Sequence, residues 1–230
     1  PSLLELANYV KENRNQEKIG NLNWKEIINK DTDAKLPSSS FLAIILKFIS
    51  CILFNTFFRV KVKGKEKIEM DKPTIYVANH QSFLDGFLFN YAVPSKLVKK
   101  TYFLATVAHF KSSMMKSFAN SANVVLVDIN KDIAEVMQIL AKVLKENKNV
   151  AIYPEGLRTR DGKMNKFKKS FAILAKELNV DVQPYVISGA YELFPTGKKF
   201  PKPGKISVEF LDKIKVEDLN YDEIVSKSYK

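Results

Sequence analysis

Apolar residues at Leu3, Leu6, Ala7 and Val10 recur at the spacing of one helical face and predict a helix over residues 2–14. Trp24, Ile27 and Ile28 mark a second short helix over residues 23–30. Asp31 to Ser40, with Pro37 and a serine triplet, then reads as a linker. Phe41 to Phe58 is an eighteen-residue run with one charge, Lys47, a length at the lower limit for crossing a bilayer. Its polar members Lys47, Ser50, Asn55 and Thr56 do not share one narrow face. A span, an interfacial helix and a helix covering an apolar groove of the same protein all fit that pattern. Arg59, Lys61, Lys63, Lys65 and Lys67 follow at once, and this basic flank favours lipid contact.

Beyond Gly64 the period changes. Short β-rich runs at Thr74–Ala78, Thr101–Leu104, Val124–Val127, Val150–Tyr153, Val182–Ile187 and Ile206–Phe210 alternate with helical stripes. The clearest stripes are Ile133, Val136, Met137, Leu140, Val143 and Leu144, and then Phe171, Leu174, Ala175 and Leu178. The alternation predicts a layered α/β domain in which those stripes are core. The charged tail after Leu211 ends in a further short helix.

Composition narrows the function only slightly. A chain of 230 residues, 46% apolar and 27% charged, folds around one substantial core with room for a small appendage. Thirty-seven Lys and Arg against 25 Asp and Glu leave a charge of +12, which draws nucleic acid, an anionic bilayer, an acidic carrier protein and coenzyme A phosphates alike, and which a merely solubilising surface of lysines explains as well. A lone cysteine, Cys51, excludes an internal disulfide, and with only two histidines no metal site is expected. The chain opens at Pro1 with no signal-peptide pattern, and is expected to be a piece of a longer protein.

Two stretches carry chemistry. Asn79-His80-Gln81-Ser82-Phe83-Leu84-Asp85-Gly86 stands where a strand gives way to a helix, and strand ends are where open α/β sheets place ligands. With the helix starting near Ser82, Asp85 lies within reach of the His80 Nδ1–H, and Nε2 is left free to take a proton from a substrate hydroxyl. A satisfied structural histidine is the other reading, and the spacing leaves both open. His109, with no carboxylate at matching spacing, reads as structural. The second stretch, Tyr153 to Gly162, breaks another strand with Pro154 and Gly156. Its Glu155 suits a hydroxyl and the planar fork of Arg158 suits phosphate, and a solvated charged turn, the more common outcome of such spacing, is the other reading. Lys163, Lys166, Lys168 and Lys169 follow, with Phe167 among them. They read as phosphate donors or as the solvated start of a helix.

Asn79-His80 with Asp85, then Pro154-Glu155-Gly156 and Arg158, resemble in type and order the two defining motifs of the glycerophospholipid acyltransferases, the family that includes the lysophosphatidate acyltransferases. Val182-Gln183-Pro184-Tyr185-Val186 resembles a further family block, and the resemblance runs from about Phe57 to Ile214. It implies a mixed β-sheet flanked by helices, with an N-terminal helical membrane-anchoring element that residues 37–60 fit, and an acyltransferase domain over residues 61–230. It implies His80 as general base, Asp85 as its orienter, and Glu155, Gly156, Arg158, Lys168 and Lys169 as substrate-binding residues. The expected substrates are acyl-CoA or an acyl carrier protein as donor and a lysophospholipid as acceptor, without a cofactor. The expected partner is an anionic phospholipid membrane, bound peripherally or monotopically at its cytoplasmic face, and not nucleic acid.

Two positions depart from the family pattern. Asp128 or Ile129 stands where an acceptor-holding arginine is common, which opens the acceptor to larger head groups, and Leu157 replaces a common threonine. The wording of Ile187 to Glu192 and of Phe200 to Lys205 is similar to the subgroup fused behind an acyl-activating ligase, with residues 1–36 as the helical linker or tail between the parts. A thioesterase using water as acceptor and a basic nucleic-acid-binding protein are the competing readings. The second rests on charge alone, with no recognisable reading motif.

Overall fold

The computed structural model describes residues 22–37, 41–107, 110, 112–127 and 133–229; the helix expected over 2–14, His109, Asp128 and Ile129 lie outside them. Among the described residues, seven strands form one sheet in the order β1-β7-β6-β2-β5-β3-β4. These are β1 (Phe58–Lys63), β2 (Ile75–Ala78), β3 (Thr101–Thr106), β4 (Val124–Val127), β5 (Asn149–Ile152), β6 (Val182–Ser188) and β7 (Gly204–Phe210). Five of them, β6, β2, β5, β3 and β4, run parallel; β7 is antiparallel to β6, and β1 is parallel to β7. The expected mixed sheet is therefore present. One edge of the sheet collects the C-terminal ends of the parallel strands and the starts of β7 and β1.

The alternation along each strand divides the core. Ile75, Val77, Val150, Ile152 and Val182 face one side, where helices α1 (Trp24–Asn29), α6 (Ile133–Lys145), α7 (Ser170–Leu178) and α9 (Tyr221–Ser228) pack. Tyr76, Ala78, Ala151, Tyr185 and Ile187 face the other, under α2 (Phe41–Thr56), α3 (Asp85–Ala92) and α4 (Ser95–Lys100). The remaining helices, α5 (Ser113–Ser121) and the short α8 (Ala190–Leu193), follow β3 and β6. Strand β2 is buried at all four positions, so its end is held from both faces and by both neighbours.

The apolar run at Phe41 is both a covering helix and an exposed one. Phe54 and the following Phe58 are fully buried, each burial stabilising by about 1.5–3 kcal/mol. Phe48, Ile49, Ile52, Leu53 and Phe57 remain exposed. No helix among the described residues is long and apolar enough to cross a membrane. The charge within the run, Lys47, turns inward, where its ammonium donates to the carbonyls of Asn90 at 2.8 Å and Val93 at 2.5 Å and satisfies the C-terminus of α3. Burial lowers its pKa. At the sheet margin, the basic flank at Arg59 is the outer strand β1, with Arg59, Lys61 and Lys63 exposed. Lysines on an edge strand discourage pairing with another chain.

Gly189, which closes β6, has φ +87°, and a Cβ there would stand 2.4 Å from the carbonyl oxygen of Lys205. Gly189→Ala is expected to destabilise the fold by at least ~1–2 kcal/mol from the backbone conformation alone, with the clash adding to it. A denaturation midpoint equal to the wild type's would refute that assignment.

Candidate active site

Two strand ends meet at the sheet edge. At the end of β2, Asn79 turns its amide toward β6: Nδ2 donates to the Ile187 carbonyl and Oδ1 accepts from the Ile187 N–H, both at 2.8 Å. The side chain thus extends the β2–β6 pairing by one step and fixes where residue 80 emerges. The helix begins at Asp85 rather than Ser82, after a turn in which one carboxylate oxygen gathers the preceding donors. Asp85 Oδ2 lies 2.7 Å from His80 Nδ1 and accepts from the N–H groups of Gln81 at 2.7 Å and Ser82 at 2.9 Å. Its Oδ1 is buried with no protein partner. Burial pushes the Asp85 carboxyl up from its ordinary pKa; the His80 hydrogen bond and the Ser82 and Gln81 N–H groups pull the other way.

The loop after β5 locks onto this turn. Glu155 Oε1 accepts from the His80 backbone N–H at 2.7 Å, and the His80 carbonyl accepts from the Thr159 N–H at 2.8 Å. Glu155 Oε2 accepts from both the backbone and the side chain of Asn165, at 2.8 and 2.9 Å. Both carboxylate oxygens are therefore engaged within the protein, and Glu155 ties the two strand ends together. Tyr153 stacks on the imidazole, ring centroids 4.3 Å apart and planes 12° apart. Its hydroxyl meets that of Tyr185 at 3.4 Å. Burial pushes the Tyr153 phenol well up in pKa, so it stays neutral beside the imidazole. With one face covered by Tyr153 and Nδ1 engaged, the ring presents Nε2.

The expected site residues divide. His80, Asp85 and Glu155 form one hydrogen-bonded unit. Gly156 has φ +78°, and a Cβ there would lie 3.1 Å from Lys168 Nζ, so the lysine head folds over the glycine. Arg158 precedes the residue bonded to His80; it is half-buried, and its guanidinium has no carboxylate partner among the described residues. Lys169 pairs with Asp222 of α9 at 2.7 Å. Phe167 is buried against Phe171 and Tyr229, so the lysine run carries no exposed aromatic there for stacking on bases. Reading the sequence does not assign roles to Tyr153 and Asn165. Tyr153 stands beside Pro154 at a strand end, a usable signal, whereas nothing marks Asn165.

Residues 59–188 match the family model described as Acyltransferase. The chain is 32% identical over 163 residues to a 1-acyl-sn-glycerol-3-phosphate acyltransferase of Chlamydomonas reinhardtii, covering 69% of this chain and 48% of that one. It is 27% identical over 192 residues to the human 1-acyl-sn-glycerol-3-phosphate acyltransferase beta, covering 80% and 66%. The crystal structure of the 1-acyl-sn-glycerophosphate acyltransferase PlsC from Thermotoga maritima superposes with a TM-score of 0.69 at 27% identity, covering 81% of this chain and 75% of that one. The chain spans about half the length of the algal relative.

Proposed function

Because the chain belongs to the acyltransferase family, we propose that it moves a fatty acyl group from a thioester donor to the free hydroxyl of a lysophospholipid, with 1-acylglycerol 3-phosphate the first candidate acceptor. The observation that carries this reading is the 2.7 Å contact of a part-exposed His80 with the buried Asp85 at the C-terminal edge of the sheet. With Nδ1–H donating to Asp85, His80 Nε2 takes the proton of the acceptor hydroxyl as its oxygen attacks the thioester carbonyl. The tetrahedral intermediate collapses with loss of the thiolate, which receives that proton. The products are the ester and the free thiol, and no covalent enzyme intermediate is required.

Glu155 holds the His80 turn, and Arg158 and Lys168 supply positive charge to the acceptor or donor phosphates beside it. Helix α2 acts as a membrane-contacting element: its inner face is committed to α3 and α4, while Phe48, Ile49, Ile52 and Leu53 face outward. The site works at a membrane surface, and acyl-CoA and acyl carrier protein are both donors of the required chemistry.

The reading is tested by thiol release from palmitoyl-CoA with lysophosphatidate, other lysophospholipids, glycerol 3-phosphate or no acceptor, the lipid product being identified by mass spectrometry. Release that depends on one lysolipid and yields its diacyl form supports the reading. Equal release without acceptor makes the protein a thioesterase and overturns it. In the same assay Arg158→Ala is expected to raise the acceptor KM by about ten- to a hundredfold, with a smaller change for the donor. An unchanged acceptor KM would remove Arg158 from the acceptor site.

A further inference from the structure

The strand order sets exposed apolar side chains in a row along the sheet edge that holds His80. Phe57 directly precedes β1, whose first residue pairs with Gly204 at the start of β7. The connection entering β7 carries Phe200, 83% exposed. Two strands further on, Phe83 leaves the end of β2 at 61% exposed, and the loop after β5 carries Leu157 at 68% exposed. Each side chain comes from a different connection, and none of these positions is needed to fill the core.

The segment bearing Phe200 is built as a lip. Its two ends are pinned where the Lys202 N–H donates to the Leu193 carbonyl at 2.8 Å. Its base is joined to the catalytic turn, because Ser82 Oγ donates to the Phe194 carbonyl at 2.8 Å and the Phe83 and Phe194 rings meet edge to face. Lys198, Lys199 and Lys202 flank Phe200 in the sequence, all exposed and without an ion-pair partner among the described residues. An exposed aromatic flanked by lysines without ion-pair partners matches an anionic lipid interface: the aromatic side chain enters the boundary between head groups and chains, and the lysines meet phosphates.

We infer that residues 195–202 form a lip that docks the mouth of the site on an anionic lipid surface, with Phe200 inserted and Lys198 and Lys199 on the head groups. This deepens the proposed action on a lipid acceptor and rests on it, since the docked edge is the one through which that acceptor reaches His80. The lip is distinct from the exposed face of α2. It sets which edge of the sheet meets the bilayer.

The experiment is vesicle cosedimentation without substrates, using phosphatidylcholine vesicles with and without phosphatidylglycerol. Phe200→Ser is expected to lower partitioning about tenfold on the anionic vesicles. Lys198→Glu combined with Lys199→Glu is expected to lower it by about tenfold or more there, and to remove the advantage that phosphatidylglycerol gives the wild type. Both variants should keep wild-type circular dichroism and wild-type transfer to a detergent-dispersed acceptor. Wild-type partitioning by both variants would overturn the inference, because α2 alone would then carry the binding. Wild-type partitioning with a selective loss of transfer from acyl carrier protein would also overturn it, and would assign the lip to an acidic protein. Since binding is read without catalysis, loss of the acyl-transfer reading in the thiol-release assay is a separate outcome.

Discussion

His80→Ala is expected to lower acyl transfer by about a thousandfold or more, the scale of a general base removed from a proton transfer in the rate-determining step. The variant should still fold, because what residue 80 gives the scaffold comes from its backbone. Its N–H donates to Glu155 and its carbonyl accepts from Thr159, and alanine keeps both. The buried Asp85 loses one donor but retains the N–H groups of Gln81 and Ser82, and neutralises by taking a proton if the remaining donors do not suffice. A modest fall in thermal midpoint is compatible with this, about 2–4 °C for each kcal/mol in a chain of this size. Initial rates of thiol release and circular dichroism on the same preparation decide the matter. Retained transfer within tenfold of wild type would show that the imidazole is no catalytic base; loss of both the transfer and the native spectrum would mean that His80 supports the fold.

Much of this arrangement is legible in the sequence. The six strand runs and the two strong stripes recur as strands and helices because a period of two or of 3.6 reports which side of an element is buried, and burial dominates the choice. The His80 to Asp85 contact is legible because it is local, spanning one turn. Three features are not. Strand β1 does carry a period of two, Phe58, Val60 and Val62 alternating with Arg59, Lys61 and Lys63, but its basic residues read as a flank of the preceding apolar helix; that they are the water-facing side of an edge strand follows from sheet order. Lys47 reads as a flaw in an apolar helix, yet its role depends on where α3 ends, and that is set by packing across forty-odd residues of chain. Glu155 suggests a ligand contact, whereas its three bonds within the protein follow from β2 and β5 lying side by side, a fact of sheet order that periodicity does not carry. The same limit applies to the lip: its lysines are visible in the sequence, but their place on the sheet edge that holds Phe83 depends on β7 starting at the edge where β2 ends, with β6 between them.

Asp85→Asn should separate catalysis from stability. Three donors converge on Oδ2, while Oδ1 has no protein partner. Asparagine therefore fits with its carbonyl oxygen in the Oδ2 position, keeping the hydrogen bonds and the imidazole tautomer, and with its NH2 in the place of Oδ1. What is lost is the negative charge that stabilises the imidazolium as the proton arrives. Transfer is expected to fall by about 10²–10³-fold, less than the ~10⁴-fold loss seen when the same change in a catalytic triad also installs the wrong tautomer.

The stability signature of the same substitution differs in kind. Burial raises the folded-state pKa of Asp85, so the folded chain holds this proton more tightly than the unfolded chain does. The stability contributed by the protonated carboxyl is fully present below the ordinary carboxylate range and is lost as pH rises through the folded-state value. Asparagine does not titrate, and the unsatisfied NH2 it buries costs the same at every pH. The difference in unfolding free energy, variant minus wild type, should therefore grow more favourable to Asp85→Asn as pH is raised from the ordinary carboxylate range through that value. Urea unfolding across that range measures it. Parallel curves for the two proteins would show that burial does not raise Asp85, and a transfer rate within tenfold of wild type would show that its charge has no part in the chemistry. The expected outcome, a slower enzyme whose stability no longer declines through that window, is what a buried carboxylate kept for catalysis at the expense of the fold should produce.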